Sequence, residues 1–118
     1  MAEFGHGHGL ETRLAVYGSL APGEVNHHQL EGLKGRWIRG SVRGRRYEAG
    51  WGQWIGFPGL VLDAEGPEVA VQVFESADLP EHWARLDEFE GPGYRRVEVA
   101  VTLVEGGVVR AYVYELAS

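Results

Sequence analysis

Residues 95–116, R-R-V-E-V-A-V-T-L-V-E-G-G-V-V-R-A-Y-V-Y-E-L, contain the pattern that decides the fold. Every second residue from Val97 to Leu103 is apolar, which places those side chains on one face of an extended strand. The E-G-G sequence at 105–107 is typical of a tight turn, and a second strand returns over 108–116. This segment is therefore predicted to form a long β-hairpin with one apolar face.

Shorter apolar segments predict further strands along the chain. We expect strands over residues 13–17, 60–63 and 69–74, and two longer strands within 36–48. Residues 25–33 can form one or two helical turns. Six or seven strands with one long helix indicate an α+β fold, namely a small mixed or antiparallel β-barrel with one main flanking helix.

The length of the chain, 118 residues, fits a single domain with its own core. Residues 1–12 are rich in Gly and His and lack periodicity, so we expect a flexible leader followed by one folded domain over 13–118. The chain has no Cys, which excludes disulfides and thiolate nucleophiles. Without an apolar run near 18 residues or a secretory leader, we expect no contact with membranes and a cytoplasmic location.

Six of the 11 basic residues fall between Lys34 and Arg46, around Trp37 and before Tyr47. Such a segment would suit a strand that binds a polyanion. The alternative is a twisted strand whose solvent side carries Arg and whose Gly residues relieve crowding at a bend. The net charge of −6 favours the alternative, and we expect no nucleic-acid partner.

The main helix is expected after Asp78, a plausible N-cap with Glu81 at capping-box spacing. It should end at Gly91, because Pro92 prevents its continuation. The helix therefore closes with D-E-F-E, which brings three acidic residues, at 87, 88 and 90, to its last turn.

Only one of these acids is predicted to face the core. With about 100° per residue from Leu79, Leu86 falls near −20° and Glu90 near 20°, whereas Asp87 falls near 80° and Glu88 near 180°. Glu90 thus lies in the apolar stripe. Burial and the C-terminal end of the helix both raise the pKa of such a carboxyl, which general acid–base catalysis requires.

Two alternatives to a catalytic Glu90 remain open from the sequence. The carboxylate could pair with Arg95 or Arg96, which follow the helix closely. The helix could also end before position 90, in which case the angular argument fails.

A second candidate element is V-Y-G-S-L-A-P-G at residues 16–23. A strand that ends in Gly-Ser can present successive backbone N–H groups to a carboxylate or an oxyanion, although an ordinary turn has the same composition. Ser19 lacks the setting of a catalytic nucleophile, and no Asp is spaced to complete a triad with His27 or His28. We expect neither a metal nor another cofactor.

Three motifs together resemble the gamma-glutamylcyclotransferase-like family, in its AIG2-like branch. They are Y-G-S-L at 17–20 with Asn26 after it, G-F-P-G-L at 56–60, and L-D-E-F-E-G…Y-R-R at 86–96. The resemblance extends over about residues 14–116 of the chain. It implies a small barrel of mixed strands with flanking helices, which agrees with the strand count.

The resemblance also implies the residues of an active site. Glu90 corresponds to the acid–base residue of the family, and Tyr94 to a tyrosine near the cavity. The residues implied to bind substrate, mainly through the backbone, are Tyr17, Gly18, Ser19 and Leu20. Many relatives carry Arg where this chain has Ala21, so an anion-binding role at that position does not carry over.

The implied reaction is the intramolecular cyclisation of a gamma-glutamyl amide or amine to 5-oxoproline, with release of the amine or amino acid. The implied partner is a small-molecule gamma-glutamyl substrate, and Glu90 is the implied general acid and base. Two rival functions remain: a non-catalytic module that binds a small carboxylate-bearing metabolite, and a polyanion-binding protein that uses the basic segment 34–46.

Overall fold

A computed structural model describes residues 8–17, 30–47 and 59–117 of the chain. Its strands are β1 (Arg13–Val16), β2 (Arg36–Tyr47), β3 (Gly59–Leu62), β4 (Glu68–Glu75), β5 (Tyr94–Leu103) and β6 (Val108–Leu116). Its helices are α1 (His8–Glu11) and α2 (Trp83–Glu90), with a 3-10 turn at Leu79–Glu81 before α2. The predictions for residues 18–20, most of 25–33 and the loop at 49–58 lie outside the described residues.

Five strands close a barrel in the order β2-β4-β1-β6-β5, and β5 pairs with β2 to complete the ring. The sixth strand, β3, extends the sheet from β2. The pair β1–β6 is parallel and the other pairs are antiparallel, so the barrel is mixed. The predicted class, a small mixed barrel with one main helix, is confirmed.

Residues 36–47 form one strand, so the prediction of two strands within 36–48 is wrong. β2 pairs with β4 through Arg43 and with β3 from Gly44 onward, without an intervening turn. A Cβ on Gly44 would lie 2.7 Å from the Val61 carbonyl oxygen, and one on Gly40 would lie 2.8 Å from the Thr102 carbonyl oxygen. Each of these glycines therefore lets the backbone of a neighbouring strand approach β2 closely, and neither of them marks a turn.

The core has two parts, one on each face of the sheet. The barrel interior contains Ala15, Val42, Leu60, Val69, Val71, Val73, Val101, Leu103, Ala111 and Val113. The layer between the outer face and α2 contains Leu14, Val16, Leu30, Phe74, Leu79, Trp83, Leu86 and Tyr114. The alternation predicted for β5 is confirmed, because its apolar face from Val97 to Leu103 packs against the interior cluster.

The start of the main helix differs from the prediction. Residues 79–81 form a 3-10 turn, and α2 begins only at Trp83. Asp78 makes no side-chain cap; its carboxylate instead accepts a hydrogen bond of 2.9 Å from the Lys34 backbone N–H. The predicted end is confirmed, because α2 finishes at Glu90 and Gly91 takes φ of 83°.

The end of the expected leader contains α1, a single helical turn that contacts β6. The Trp83 indole N–H donates a hydrogen bond of 3.0 Å to the Glu11 carbonyl oxygen, which ties α2 to this turn. Residues 1–7 lie outside the described part, so a flexible leader stays a prediction. None of the helices in the described ranges is both long and apolar enough to cross a membrane.

Candidate active site

Glu90 is the last residue of α2, and it lies at the end of the barrel where β1 finishes. The residues that share its side of the helix, Trp83 and Leu86, are buried, whereas Glu88 on the opposite side is exposed. Glu90 itself is partly buried. The predicted orientation therefore agrees with the structure, although the helix starts later than expected.

Both alternatives to an unpaired Glu90 are excluded by the geometry. The Arg95 guanidinium lies 3.0 Å from Glu115, and the Arg96 guanidinium lies 2.8 Å from Asp87. The helix continues through position 90. Among the residues that the structure describes, none donates a hydrogen bond to the Glu90 carboxylate or forms an ion pair with it.

This isolation has an electrostatic consequence. Burial raises the pKa of Glu90 from its ordinary value of 4.5 to about 7, because desolvation disfavours the charged form. A carboxyl with this pKa exists in both protonation states near neutral pH. It can therefore accept and return a proton at little cost, which suits a general acid–base residue.

Three tyrosines, Tyr17, Tyr94 and Tyr114, lie close enough to Glu90 for its charge to raise their pKa values. Burial raises the pKa of Tyr17, and the nearby ionisable groups of Tyr94 and Glu90 raise it further. Burial and the charge of Glu90 likewise raise the pKa of Tyr94, and burial and the Asp87 carboxylate raise that of Tyr114. All three phenols therefore remain neutral at physiological pH and act as hydrogen-bond donors.

The tyrosines also connect the strands and the helix of the site. The Tyr17 hydroxyl donates a hydrogen bond of 2.6 Å to the Tyr114 carbonyl oxygen. The Tyr114 hydroxyl donates one of 2.6 Å to an Asp87 carboxylate oxygen. Tyr114 of β6 is thus hydrogen-bonded both to Tyr17, which precedes the predicted N–H loop, and to the helix that carries Glu90.

Asp87 lies three residues before Glu90 and has the opposite electrostatic character. Burial acts to raise its pKa, but hydrogen bonds from Arg96 and Tyr114 outweigh this effect and hold the pKa below its usual value. Arg96 in turn stacks on Trp83, with its guanidinium carbon 4.5 Å from the ring centroid. Asp87 therefore stays charged and has a structural role.

Several predicted site residues are placed by the structure and others are not. Tyr17 and Tyr94 lie close enough to Glu90 for its charge to raise their pKa values. Gly18, Ser19 and Leu20 lie outside the described residues. Tyr114 was not among the site residues predicted from the sequence. The signal was a tyrosine within the apolar segment of β6, where a buried hydroxyl requires a hydrogen-bond partner.

The opposite end of the barrel has an open depression of about 500 Å³, lined in part by Thr12, Lys34 and Ser76. Its carboxylate, Glu75, accepts hydrogen bonds of 2.9 Å from both Arg13 and Arg36. Burial acts to raise the Glu75 pKa, but the two arginines outweigh it and lower the pKa. Glu75 is therefore unsuited to proton transfer near neutral pH.

Most of the basic segment 34–46 lies on strand β2. Two of the β2 arginines pair with acids, Arg36 with Glu75 and Arg45 with Asp63. This pairing is typical of a solvated strand face. Within residues 8–17, 30–47 and 59–117, no group of three His, Asp or Glu side chains is arranged to hold a metal.

Solved structures similar to this chain come from several organisms. An AIG2-like protein from Mus musculus is 25% identical with a TM-score of 0.70, over 92% of this chain and 78% of that one. The uncharacterised protein PH0828 from Pyrococcus horikoshii is 32% identical with a TM-score of 0.56, over 91% and 79%. YkqA from Bacillus subtilis is 28% identical with a TM-score of 0.69, over 89% of this chain but only 35% of YkqA.

No curated protein matches the chain in sequence. A family model described as gamma-glutamyl cyclotransferase, AIG2-like, matches residues 14–118, which is nearly the whole chain. The barrel, the single main helix and the order of the three motifs agree with this match. The chain therefore belongs to the gamma-glutamyl cyclotransferase, AIG2-like family.

Proposed function

We propose that this protein converts a gamma-glutamyl amide or amine into 5-oxoproline and releases the amine or amino acid, with Glu90 as the general acid and base. The observation that carries the proposal is the isolated, partly buried Glu90 carboxyl, whose pKa burial raises to about 7. Membership of the family supports the reaction class, and the neutral phenol of Tyr94, whose pKa is raised by burial and by the Glu90 charge, lies near the carboxyl.

The reaction needs no nucleophile from the protein, because the substrate carries its own. The alpha-amine nitrogen attacks the gamma-carbonyl carbon and forms the ring C–N bond. Glu90 accepts the proton that this nitrogen loses. The bond between the gamma-carbon and the leaving nitrogen then breaks, and Glu90 returns the proton to that nitrogen. The proton that Glu90 accepts is returned to the leaving nitrogen, which also keeps the electron pair of the broken bond, so the reaction needs no further reactant.

The protein's main contribution would be to fold the substrate into a shape in which the amine lies close to the carbonyl. Well-oriented intramolecular reactions gain roughly 7–11 kcal/mol from this effect. We further propose that N–H groups around residues 18–20 bind the substrate carboxylate or the developing oxyanion. The hydrogen bond from Tyr17 to the Tyr114 carbonyl oxygen supports this proposal, because it fixes the residue immediately before that segment.

The direct test is to incubate the protein with gamma-glutamyl amino acids and with gamma-glutamyl-epsilon-lysine, and to assay 5-oxoproline. We expect turnover by the wild type, and a decrease of roughly 100- to 10,000-fold in Glu90→Gln, because a general acid–base residue contributes that much. Glu88→Gln is the matched control, since Glu88 lies on the exposed side of the same helix.

Two outcomes would contradict the proposal. Full activity in Glu90→Gln would exclude Glu90 as the acid–base residue. Binding of a small carboxylate-bearing metabolite without any product would instead support the non-catalytic binding module.

A further inference from the structure

The direction of the Arg46 side chain follows from strand pairing. Arg46 lies directly opposite Leu60 in the antiparallel pair β2–β3. Directly opposed residues of such a pair project from the same face of the sheet. Leu60 is fully buried in the barrel interior, and Val42, four residues before Arg46 on β2, is buried in the same cluster. Arg46 therefore lies on the same face of β2 as the barrel interior, but at the end of the strand, where its side chain is exposed.

The neighbouring Arg45 has the opposite direction. It lies opposite Val61, which is among the exposed large apolar residues. Its guanidinium is 3.4 Å from the Asp63 carboxylate, a surface ion pair. Two adjacent arginines, both exposed at the end of one strand, thus project from opposite faces of β2, and Arg45 provides a matched control for Arg46.

Arg46 lies at the same end of the barrel as Glu90, because the next residue, Tyr47, is opposite Gly59, Gly59 packs against Leu116, and Leu116 is opposite Tyr94. Tyr17 packs against the interior cluster, and burial is the main cause of its raised pKa. The Glu90 charge raises this pKa further, whereas the Leu60 backbone and the positive charge of Arg46 lower it. One phenol therefore lies within electrostatic reach of both the carboxyl and the guanidinium. The charge of Arg46 is not among the causes that set the pKa of Glu90.

We propose that Arg46 determines substrate specificity by binding the alpha-carboxylate of the gamma-glutamyl group. This inference rests on the proposed function for the identity of the ligand. In a gamma-glutamyl group the alpha-amine and the alpha-carboxylate share one carbon atom, so a base for the amine and a cation for the carboxylate must both reach the same bound ligand. An arginine stays charged in any environment and matches a carboxylate with two parallel hydrogen bonds.

The first test compares substrates with a free alpha-carboxylate and with an alpha-carboxamide. In Arg46→Gln we expect kcat/KM for the carboxylate substrate to fall about 10- to 100-fold, since hydrogen bonds to charged groups have this effect. For the carboxamide we expect little change. Arg46→Lys should restore part of the loss because it keeps the charge, and Arg45→Gln should leave both substrates unaffected.

The second test measures binding without turnover. By calorimetry, we expect 5-oxoproline to bind the wild type about 10- to 100-fold more tightly than Arg46→Gln, and its carboxamide to bind both proteins equally. Equal losses for the two ligands in Arg46→Gln would overturn the inference, and so would the absence of 5-oxoproline binding to the wild type.

The two proposals fail in distinguishable ways. Turnover that depends on Glu90 but is unaffected in Arg46→Gln would refute the role of Arg46 and leave the proposed reaction intact. Binding of 5-oxoproline that depends on Arg46, without turnover of any gamma-glutamyl compound, would support the carboxylate site and refute the reaction.

Discussion

The two ends of the barrel each contain a partly buried glutamate, and the two carboxyls differ in their surroundings. At one end, Glu75 accepts hydrogen bonds of 2.9 Å from Arg13 and Arg36. At the other end, Glu90 has neither an ion pair nor a hydrogen bond among the described residues. The pKa of Glu75 lies below its ordinary value, whereas that of Glu90 is raised to about 7.

This difference shows which physical effect determines the role of a carboxyl in this fold. Burial acts to raise the pKa at both ends, and only nearby cations reverse it. Asp87 shows the same rule within α2, because Arg96 and Tyr114 keep it charged three residues before Glu90. Among the described residues, Glu75 and Asp87 are thus paired with arginines, whereas Glu90 is not.

The largest expected effect concerns the pH dependence of turnover. Below the Glu90 pKa of about 7, kcat/KM should fall by about tenfold per pH unit, because the base must be deprotonated to accept the amine proton. The profile must be corrected for ionisation of the substrate amine, measured separately. In Glu75→Gln the midpoint should be unchanged; a shift there would show that the two ends are not electrically independent.

The next effect is a gain in stability when the Glu90 charge is removed. The carboxyl has a pKa of about 7 in the folded protein against 4.5 ordinarily, so folding favours its proton, and stability is lost as the pH rises from 4.5 to 7. We expect Glu90→Gln to increase the free energy of unfolding at pH 8 by about 1–3 kcal/mol, after a discount for partial exposure.

Urea denaturation at pH 4 and pH 8 measures this gain. The increase should nearly vanish at pH 4, where Glu90 is protonated in both states. A loss of stability at pH 8 would contradict the account, because it would mean that the charged form has a stabilising partner.

Glu75→Gln should have the opposite sign. Its lowered pKa means that the charged form stabilises the fold above the ordinary value of 4.5, and that this stabilisation is lost as the pH falls. We expect a loss of about 1–2 kcal/mol at pH 7, because hydrogen bonds to two partly exposed guanidinium groups disappear. Denaturation at pH 7 and pH 3 checks this; an equal loss at both would refute the electrostatic explanation.

The smallest effect is expected for Tyr114→Phe, which removes the hydrogen bond to Asp87 but keeps the carbonyl that accepts from Tyr17. We expect a loss of about 0.5–1.5 kcal/mol in the free energy of unfolding. In the double variant Tyr114→Phe/Asp87→Asn the loss should be smaller than the sum of the two single losses, because both substitutions affect the hydrogen bond between Tyr114 and Asp87, while Asp87→Asn also weakens the ion pair with Arg96. Additive losses would indicate that the hydrogen bond contributes nothing.

The orientation of Glu90 could be predicted from the sequence even though the helix start was wrong. Trp83, Leu86 and Glu90 all lie within α2, so their relative angles do not depend on the 3-10 turn before it. The hairpin of β5 and β6 was equally accessible, since its alternation and its turn residues are local features.

Features that depend on barrel closure could not be predicted in the same way. Two strands were expected within 36–48, but one strand there pairs with β4, β5 and β3. The buried Glu115 accepts a hydrogen bond from the Leu62 backbone N–H and pairs with Arg95. The bond to Leu62 forms because β3 lies beside β6 in the fold. Local sequence contains no signal for such pairs.

The most direct test of the central claim is to measure the titration of the Glu90 side-chain carboxyl by carbon NMR in glutamate-labelled protein, with Glu90→Gln used to assign the resonance. We expect a midpoint near the value of about 7 that burial produces. A midpoint near the ordinary value of 4.5 would contradict it, because the carboxyl would then be solvated or paired.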